Sequence, residues 1–168
     1  MSDTASRDAG RHKAKMAKRK AVQDAEVAAR TIADKGLLMV HTGAGKGKST
    51  AAFGLALRAL GRGWRVGVVQ FIKGGWSTGE RTALERFGAQ IVWRTMGEGF
   101  TWETQDRARD VAAASRAWDA ALALMADATI RLLVLDELNI ALRYDYLPPG
   151  EVVAALTARR AEIGRAHV

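Results

Sequence analysis

The sequence predicts an α/β protein with a mostly parallel sheet, and two observations carry this prediction. Short apolar segments alternate with segments of helical periodicity, which is typical of parallel strands joined by right-handed helical crossovers. A glycine-rich turn separates the first apolar segment from the helical pattern that follows it. The chain has 168 residues, of which 48% are hydrophobic, so it can bury the core of one main domain.

Composition and periodicity assign the elements in order. We expect residues 1–9 to be disordered, and residues 10–32 have a basic helical pattern with too little apolar surface for a core helix. Apolar segments predict four buried strands, at residues 37–42, 65–72, 90–94 and 130–135. Helical patterns bounded by glycine and proline predict further helices at residues 49–60, 79–87, 103–126 and 150–160.

The glycine-rich turn has the layout of a phosphate-binding loop between a strand and a helix. Gly43, Gly45 and Gly47 can adopt positive φ and leave room for a phosphate close to the backbone. Lys48 would place its charge on phosphate oxygens, and Ser49 would offer its hydroxyl to Mg²⁺. The full set of candidate phosphate-binding residues is Thr42, Gly43, Ala44, Gly45, Lys46, Gly47, Lys48, Ser49 and Thr50.

One position of this loop departs from the usual pattern. The pattern G-x-x-x-x-G-K-[ST] requires glycine where this chain has Thr42. The loop is therefore a variant, and the triphosphate need not lie in the usual orientation. A surface turn rich in glycine and lysine is the structural alternative, which the flanking strand and helix disfavour.

Two carboxylates, Asp136 and Glu137, follow the fourth predicted strand. Ligands of parallel sheets collect at the carboxyl ends of the strands, so this strand end should lie beside the phosphate-binding loop. One carboxylate could bind Mg²⁺ directly, while the other orients Ser49 or holds a water on the metal. Buried strands often end in Asp, so this motif gains its weight from being paired with the loop.

A third candidate element is the segment 97–103, in which Phe100 and Trp102 are two residues apart. In extended backbone, such a pair points to the same side and would form an apolar wall near the strand ends. Both residues could equally be ordinary core residues, and the spacing alone favours that reading.

Composition also excludes several classes of protein. The chain contains no cysteine, so it has neither disulfides nor a thiolate metal site. No apolar run approaches the length of a membrane span, and the basic N-terminus lacks the apolar core of a secretory signal. We therefore expect a cytoplasmic location and no membrane partner. The net charge of +8 favours attraction to anionic ligands over nucleic-acid binding.

Five sequence blocks, in the same order, resemble the corrinoid adenosyltransferases of the CobO/CobA/BtuR type. They lie at residues 42–54, 68–74, 99–105, 135–138 and 144–148. The similarity extends over about residues 11–160. The resemblance implies a P-loop NTPase (RecA-like) three-layer fold, and transfer of the 5′-deoxyadenosyl group from MgATP to the Co(I) of cobalamin or an earlier corrinoid. It further implies release of triphosphate, a reversed nucleotide, a homodimer, and an electron donor such as a flavoprotein.

The resemblance also implies roles for individual residues. Lys46 and Lys48 would contact the triphosphate. Phe100 and Trp102 would pack on the lower face of the corrin and displace its axial base, which makes four-coordinate Co(II) easier to reduce. The residues expected to act directly in the reaction are thus Lys48, Phe100 and Trp102. The basic N-terminal helix would cover the corrinoid. The metal ligands would be Ser49 and Glu137, supported by Asp136.

This reading divides the chain into a basic extension (1–35), an adenosyltransferase domain (36–160) and a doubtful tail (161–168). Similar proteins continue with at least one further strand and helix. The last seven residues, 162–168, read like the translation of a common sequencing adapter. We therefore expect a truncated chain, and a naturally short tail is the alternative. If the chain is truncated, its sheet lacks an element and has an unpaired edge.

Two other classes of function share part of the pattern. A different P-loop enzyme, such as a small-molecule kinase or ATPase, would explain the loop and the acidic strand end, but not the blocks at 99–105 and 144–148. A nucleic-acid-binding RecA-like ATPase would explain the basic helix, and it predicts salt-dependent binding to DNA.

Overall fold

The protein divides into two compact units, Met1–Ala33 and Asp34–Val168. Their architecture is seen in a computed structural model that describes residues 2–29, 36–72, 78–96, 106–159 and 164–167.

The described part of the first unit forms one long helix, α1 (Ser2–Ala28). The side chains of residues 10–29 are all exposed, and Lys20 pairs with Asp24 one turn later over 2.6 Å. The expectation that residues 1–9 are disordered is wrong for Ser2 onwards. These residues are mostly Ala, Ser, Asp and Arg, and they extend a helix already nucleated by the alanine- and lysine-rich sequence that follows.

The described residues of the second unit form a five-stranded sheet with helices on both faces. Its strands are β1 (Leu38–Val40), β2 (Arg65–Gln70), β3 (Ile91–Thr95), β4 (Ile130–Asp136) and β5 (Gly164–His167). Its helices are α2 (Lys48–Leu60), α3 (Gly79–Leu84), α4 (Arg107–Ala126), α5 (Leu138–Arg143) and α6 (Pro149–Thr157), with a 3₁₀ helix at Glu85–Gln90. The strand order is β1-β5-β4-β2-β3, and each pairing among these described strands is parallel. The predicted α/β fold with a mostly parallel sheet is confirmed.

Alternate residues of the central strands build two separate cores. Val66 and Val68 of β2 join the cluster formed by α2, which presents Ala52, Phe53, Ala56, Ala59 and Leu60. Val69 of β2 and Leu133 and Leu135 of β4 face the opposite cluster, which includes side chains of α4, α5 and α6. The helices thus cover both faces of the sheet, which explains why β2 and β4 read as continuous apolar runs.

Gly67 of β2 leaves room for two leucine side chains of this core. A Cβ at this position would lie 2.9 Å from Leu133 Cδ1 and 3.2 Å from Leu124 Cδ1. The absence of a side chain therefore lets α4 approach the sheet closely at this point.

β5 was not predicted from the sequence, since residues 161–168 were interpreted as a doubtful tail. Gly164–His167 pairs with β1 on one side and with β4 on the other. Any extended segment in this gap gains backbone hydrogen bonds on both sides, which depends little on its side chains. With β5 in the sheet, β1 and β3 are the edge strands among the described residues.

Candidate functional site

The loop between β1 and α2 has a glycine with positive φ at every second residue from Gly43 to Gly47. Gly43, Gly45 and Gly47 have φ angles of 117°, 101° and 105°, a region that side chains other than glycine rarely adopt. A Cβ would meet no atom within 4 Å at any of the three, so the requirement for glycine is conformational rather than steric. The alternating positive φ angles curve the backbone into a concave loop at the start of α2.

Lys48, the first residue of α2, lies over this loop. Its Nζ donates to Gly43 O over 2.9 Å and to Gly45 O over 2.8 Å. The loop and its flanks line a cleft of about 350 Å³ that includes Val40, His41 and all residues from Thr42 to Lys48. Two of the candidate cations, Lys46 and Lys48, are thus at the same cleft.

The acidic end of β4 meets the loop at Ser49. Ser49 Oγ lies 3.1 Å from Asp136 Oδ1, although the two residues are 87 positions apart. Asp136 is fully buried. The structure therefore brings together two of the three predicted metal ligands in a direct hydrogen bond.

Gln70, at the end of β2, is a site residue that the sequence analysis missed. Its Nε2 donates to Asp136 Oδ2 over 2.9 Å, while its Oε1 accepts from Trp93 Nε1 over 2.9 Å and from Thr95 Oγ1 over 3.2 Å. The strand register places Gln70 beside Asp136 on one side and Thr95 on the other. A polar residue ending an otherwise apolar buried strand was the signal that could have identified it.

Glu137, the third predicted metal ligand, has an unusual backbone. It follows Asp136 with φ 64° and ψ 21°, in the left-handed region that a non-glycine residue seldom occupies. It is the N-cap of α5, and its carbonyl oxygen accepts from Ile140 N over 3.0 Å. Residues with such backbone angles are frequent at functional sites, where the surrounding structure stabilises the strained conformation.

The donor set fits Mg²⁺. A hydroxyl and two carboxylates supply the hard oxygen atoms that Mg²⁺ prefers. Among the described residues, no cluster of three or more His, Cys, Asp or Glu side chains could enclose a metal ion. A magnesium ion here would therefore need phosphate oxygens and waters to complete its coordination, which is how Mg²⁺ is commonly bound with nucleotides.

Polar contacts also fix the turn that follows α5, which carries the block at 144–148. Arg107, in the first turn of α4, donates to Tyr144 O over 3.0 Å and to Asp145 O over 3.3 Å. Tyr146 Oη lies 3.2 Å from Asp110 Oδ2, and its ring lies 5.6 Å from the Arg107 guanidinium carbon. These contacts join the start of α4 to the far end of α5, whose other end is Glu137.

The predicted aromatic wall cannot be compared with this geometry. Phe100 and Trp102 lie outside the described residues, as does the whole segment 97–105. Their role stays a prediction.

Comparisons with known proteins show the family to which this chain belongs. The family described as ATP:corrinoid adenosyltransferase BtuR/CobO/CobP matches residues 34–164, and the family described as Cob(I)alamin adenosyltransferase N terminal matches residues 1–27. The first match covers well over half of the chain and includes the loop and the acidic strand end. The chain belongs to the ATP:corrinoid adenosyltransferase family.

Individual members of this family are similar over most of the chain. A corrinoid adenosyltransferase of Pseudomonas aeruginosa is 53% identical over 151 residues, which are 90% of this chain and 74% of the relative. One from a Sinorhizobium species is 53% identical over 153 residues, covering 90% of this chain and 71% of the relative. The corrinoid adenosyltransferase CobA of Salmonella typhimurium is 52% identical over 126 residues, covering 75% of this chain and 63% of the relative.

Membership of the corrinoid adenosyltransferase family does not favour the two alternatives, another P-loop enzyme or a nucleic-acid-binding ATPase.

In the part of the chain that the structure describes, no helix combines the length and apolar character needed to cross a membrane.

Proposed function

We propose that this chain transfers the 5′-deoxyadenosyl group of ATP to the Co(I) of a corrinoid and releases triphosphate. Family membership supports the reaction. The single structural observation that carries the proposal is the hydrogen bond between Ser49 and Asp136, because it joins the phosphate-binding loop to the acidic strand end. We also propose that the second unit is a RecA-like P-loop domain, since its glycine loop and acidic strand end occupy the same edge of a parallel sheet.

The reaction needs little acid–base chemistry from the protein. Co(I) donates an electron pair to C5′, the Co–C bond forms as the C5′–O bond breaks, and the triphosphate leaves with the electron pair of that bond. Co(I) is a strong nucleophile, so no general base has to remove a proton. The protein contributes by holding the two reactants together and by stabilising the charge of the leaving group.

The loop residues have the groups that such a leaving group requires. The backbone N–H groups around Gly43, Gly45 and Gly47 would bind triphosphate oxygens. Lys48 would turn from the loop carbonyls to the phosphates, and Lys46 would add a second positive charge. Bound Mg²⁺ would neutralise further charge on the triphosphate. Ser49 and Glu137 would hold this ion, supported by Asp136.

The aromatic residues complete the proposal. Phe100 and Trp102 would pack against the corrin and keep its axial base away from cobalt, so that Co(II) accepts an electron more easily. We further propose a homodimer, an electron donor such as a flavoprotein, a cytoplasmic location, and an N-terminal helix that covers the corrinoid. We propose that the catalytic domain begins near residue 36, after the basic extension, and that it includes β5 beyond residue 160.

The nature of the phosphate product tests this function. The chain is incubated anaerobically with MgATP, with or without chemically reduced corrinoid, and the phosphate products are separated. We expect triphosphate only when Co(I) is present. ADP and phosphate formed without corrinoid, and stimulated by DNA, would instead support an ATPase of the nucleic-acid-binding class.

A further inference from the structure

A series of hydrogen bonds connects Trp93 to Gln70, and Gln70 to Asp136, the partner of Ser49. Donor and acceptor can be assigned in each of them, beginning with Trp93. An indole N–H can only donate, and Trp93 Nε1 lies 2.9 Å from Gln70 Oε1. Thr95 Oγ1 lies 3.2 Å from the same oxygen. Because the oxygen of the Gln70 amide must face these donors on β3, its NH₂ group must face the other way, towards β4.

The orientation of the Gln70 amide makes Asp136 the acceptor of the next hydrogen bond. The Gln70 NH₂ group can only donate, and its Nε2 lies 2.9 Å from Asp136 Oδ2. Asp136 therefore accepts from Gln70. The Ser49 hydroxyl also donates to this carboxyl group, with Oγ 3.1 Å from Asp136 Oδ1. The hydroxyl hydrogen of Ser49 is thereby directed at Asp136, which leaves the lone pairs of Ser49 Oγ for a cation.

Burial stabilises the hydrogen bonds in this arrangement of donors and acceptors. Gln70, Trp93 and Asp136 are 3%, 8% and 0% exposed, so water has little access to compete for these hydrogen bonds. The Trp93 ring is also held in place, with Phe53 at 5.3 Å between ring centroids and the Arg81 guanidinium carbon 5.9 Å from its centroid.

We propose that Gln70 and Trp93 are positioning residues: they hold the Asp136 carboxylate where it accepts from Ser49, so that the lone pairs of the Ser49 hydroxyl can bind the Mg²⁺ of a bound nucleotide. This inference rests on the proposed function, because it assumes that Ser49 is a metal ligand. Neither residue needs to touch the substrate, since both act through Asp136.

ATP binding, measured by calorimetry on the 168-residue chain with Mg²⁺ and with EDTA, tests the proposal without any corrinoid. Gln70→Leu removes the donor to Asp136. A second variant, Trp93→Phe with Thr95→Val, keeps Gln70 but removes both donors that orient it. Gln90→Leu, which removes the glutamine that ends the 3₁₀ helix just before β3, is the matched control. Mutation of a residue that hydrogen-bonds to a metal ligand typically lowers metal affinity by about 10- to 100-fold.

We expect Gln70→Leu to weaken binding of MgATP by about tenfold or more, with little change for ATP in EDTA. The double variant should change in the same sense, and Gln90→Leu should match wild type. In NMR spectra, the indole N–H resonance assigned to Trp93 should move on binding MgATP more than on binding ATP alone. Gln70→Leu should remove that difference.

Wild-type Mg²⁺ dependence in the double variant, or equal losses with Mg²⁺ and with EDTA, would overturn the proposal. If Gln70→Leu fails to fold, the Mg²⁺ dependence of ATP binding in the double variant tests the proposal by itself. Failure of the proposed function would be recognised separately: a chain that binds MgATP but never adenosylates Co(I) would contradict that function and leave the hydrogen-bond direction as it is.

Discussion

Ser49 at the start of α2 donates to Asp136 at the end of β4, and this 3.1 Å contact joins the two halves of the candidate site. The contact exists because parallel strands end at the same edge of the sheet. The contact couples the phosphate-binding loop to the acidic strand end. Substitutions in the loop and at the strand end should therefore both weaken nucleotide binding.

Lys48→Ala should nearly abolish adenosylation, because the leaving triphosphate loses a positive charge in the transition state. Electrostatic groups of this kind are typically worth on the order of 10²–10³ in rate. The rate is measured with chemically reduced corrinoid and saturating MgATP. Arg86→Ala, which removes an exposed charge on the 3₁₀ helix, is the control. Turnover of Lys48→Ala within about tenfold of the parent would count against the assignment of Lys48.

Glu137→Gln should raise the Mg²⁺ concentration needed for half-maximal activity more than it harms corrinoid binding. The amide keeps the size of the side chain but loses the charge that favours a divalent cation. Magnesium titrations of both proteins, together with corrinoid binding followed by absorbance, separate the two effects. An unchanged titration would transfer the role of direct ligand to Asp136.

Changing Phe100 and Trp102 together to Ala should cause a selective loss. If the pair displaces the axial base, activity from Co(II) with a weak reductant should collapse, while activity from chemically made Co(I) should largely survive. If the pair only fills a core, stability should fall by several kcal/mol, roughly 3–5 for each large aromatic side chain. Equal loss in both assays, with a lower melting temperature, would contradict the functional role.

Gly67→Ala should destabilise the protein by about 1–3 kcal/mol, because the new methyl group would crowd the side chains of Leu133 and Leu124, which must shift within a packed core. Gly54→Ala is the matched control in α2, where a Cβ meets no atom within 4 Å. It should raise stability by about 0.5–1 kcal/mol, since glycine is unfavourable within helices. Urea unfolding monitored by circular dichroism measures both. Similar shifts for the two variants would mean that the close packing at Gly67 is not important.

Much of this fold could be predicted from the sequence because the decisive signals are local. The glycine spacing in the loop requires only backbone conformation, and the apolar runs of β2 and β4 follow directly from burial on two faces. The position of Asp136 near the loop needed one further rule, that ligands gather at the carboxyl ends of parallel strands.

The remaining features depend on which strands become neighbours. Gln70 reaches Asp136 and Trp93 only because β2 lies between β4 and β3 in a specific register, which no short motif encodes. The insertion of β5 between β1 and β4 depends on the same kind of non-local pairing. The helical start of α1 was missed for a different reason, since composition alone does not separate a solvated helix from a disordered segment.

Formation of the cobalt–carbon bond tests the central claim most directly. The 168-residue chain is incubated anaerobically with MgATP and chemically reduced corrinoid, and the absorbance of the product is followed before and after exposure to light. We predict a light-sensitive adenosylated corrinoid, formed in the same amount as triphosphate. A folded chain that binds MgATP yet forms no Co–C product, while the Co(I) corrinoid stays reduced, would contradict the account.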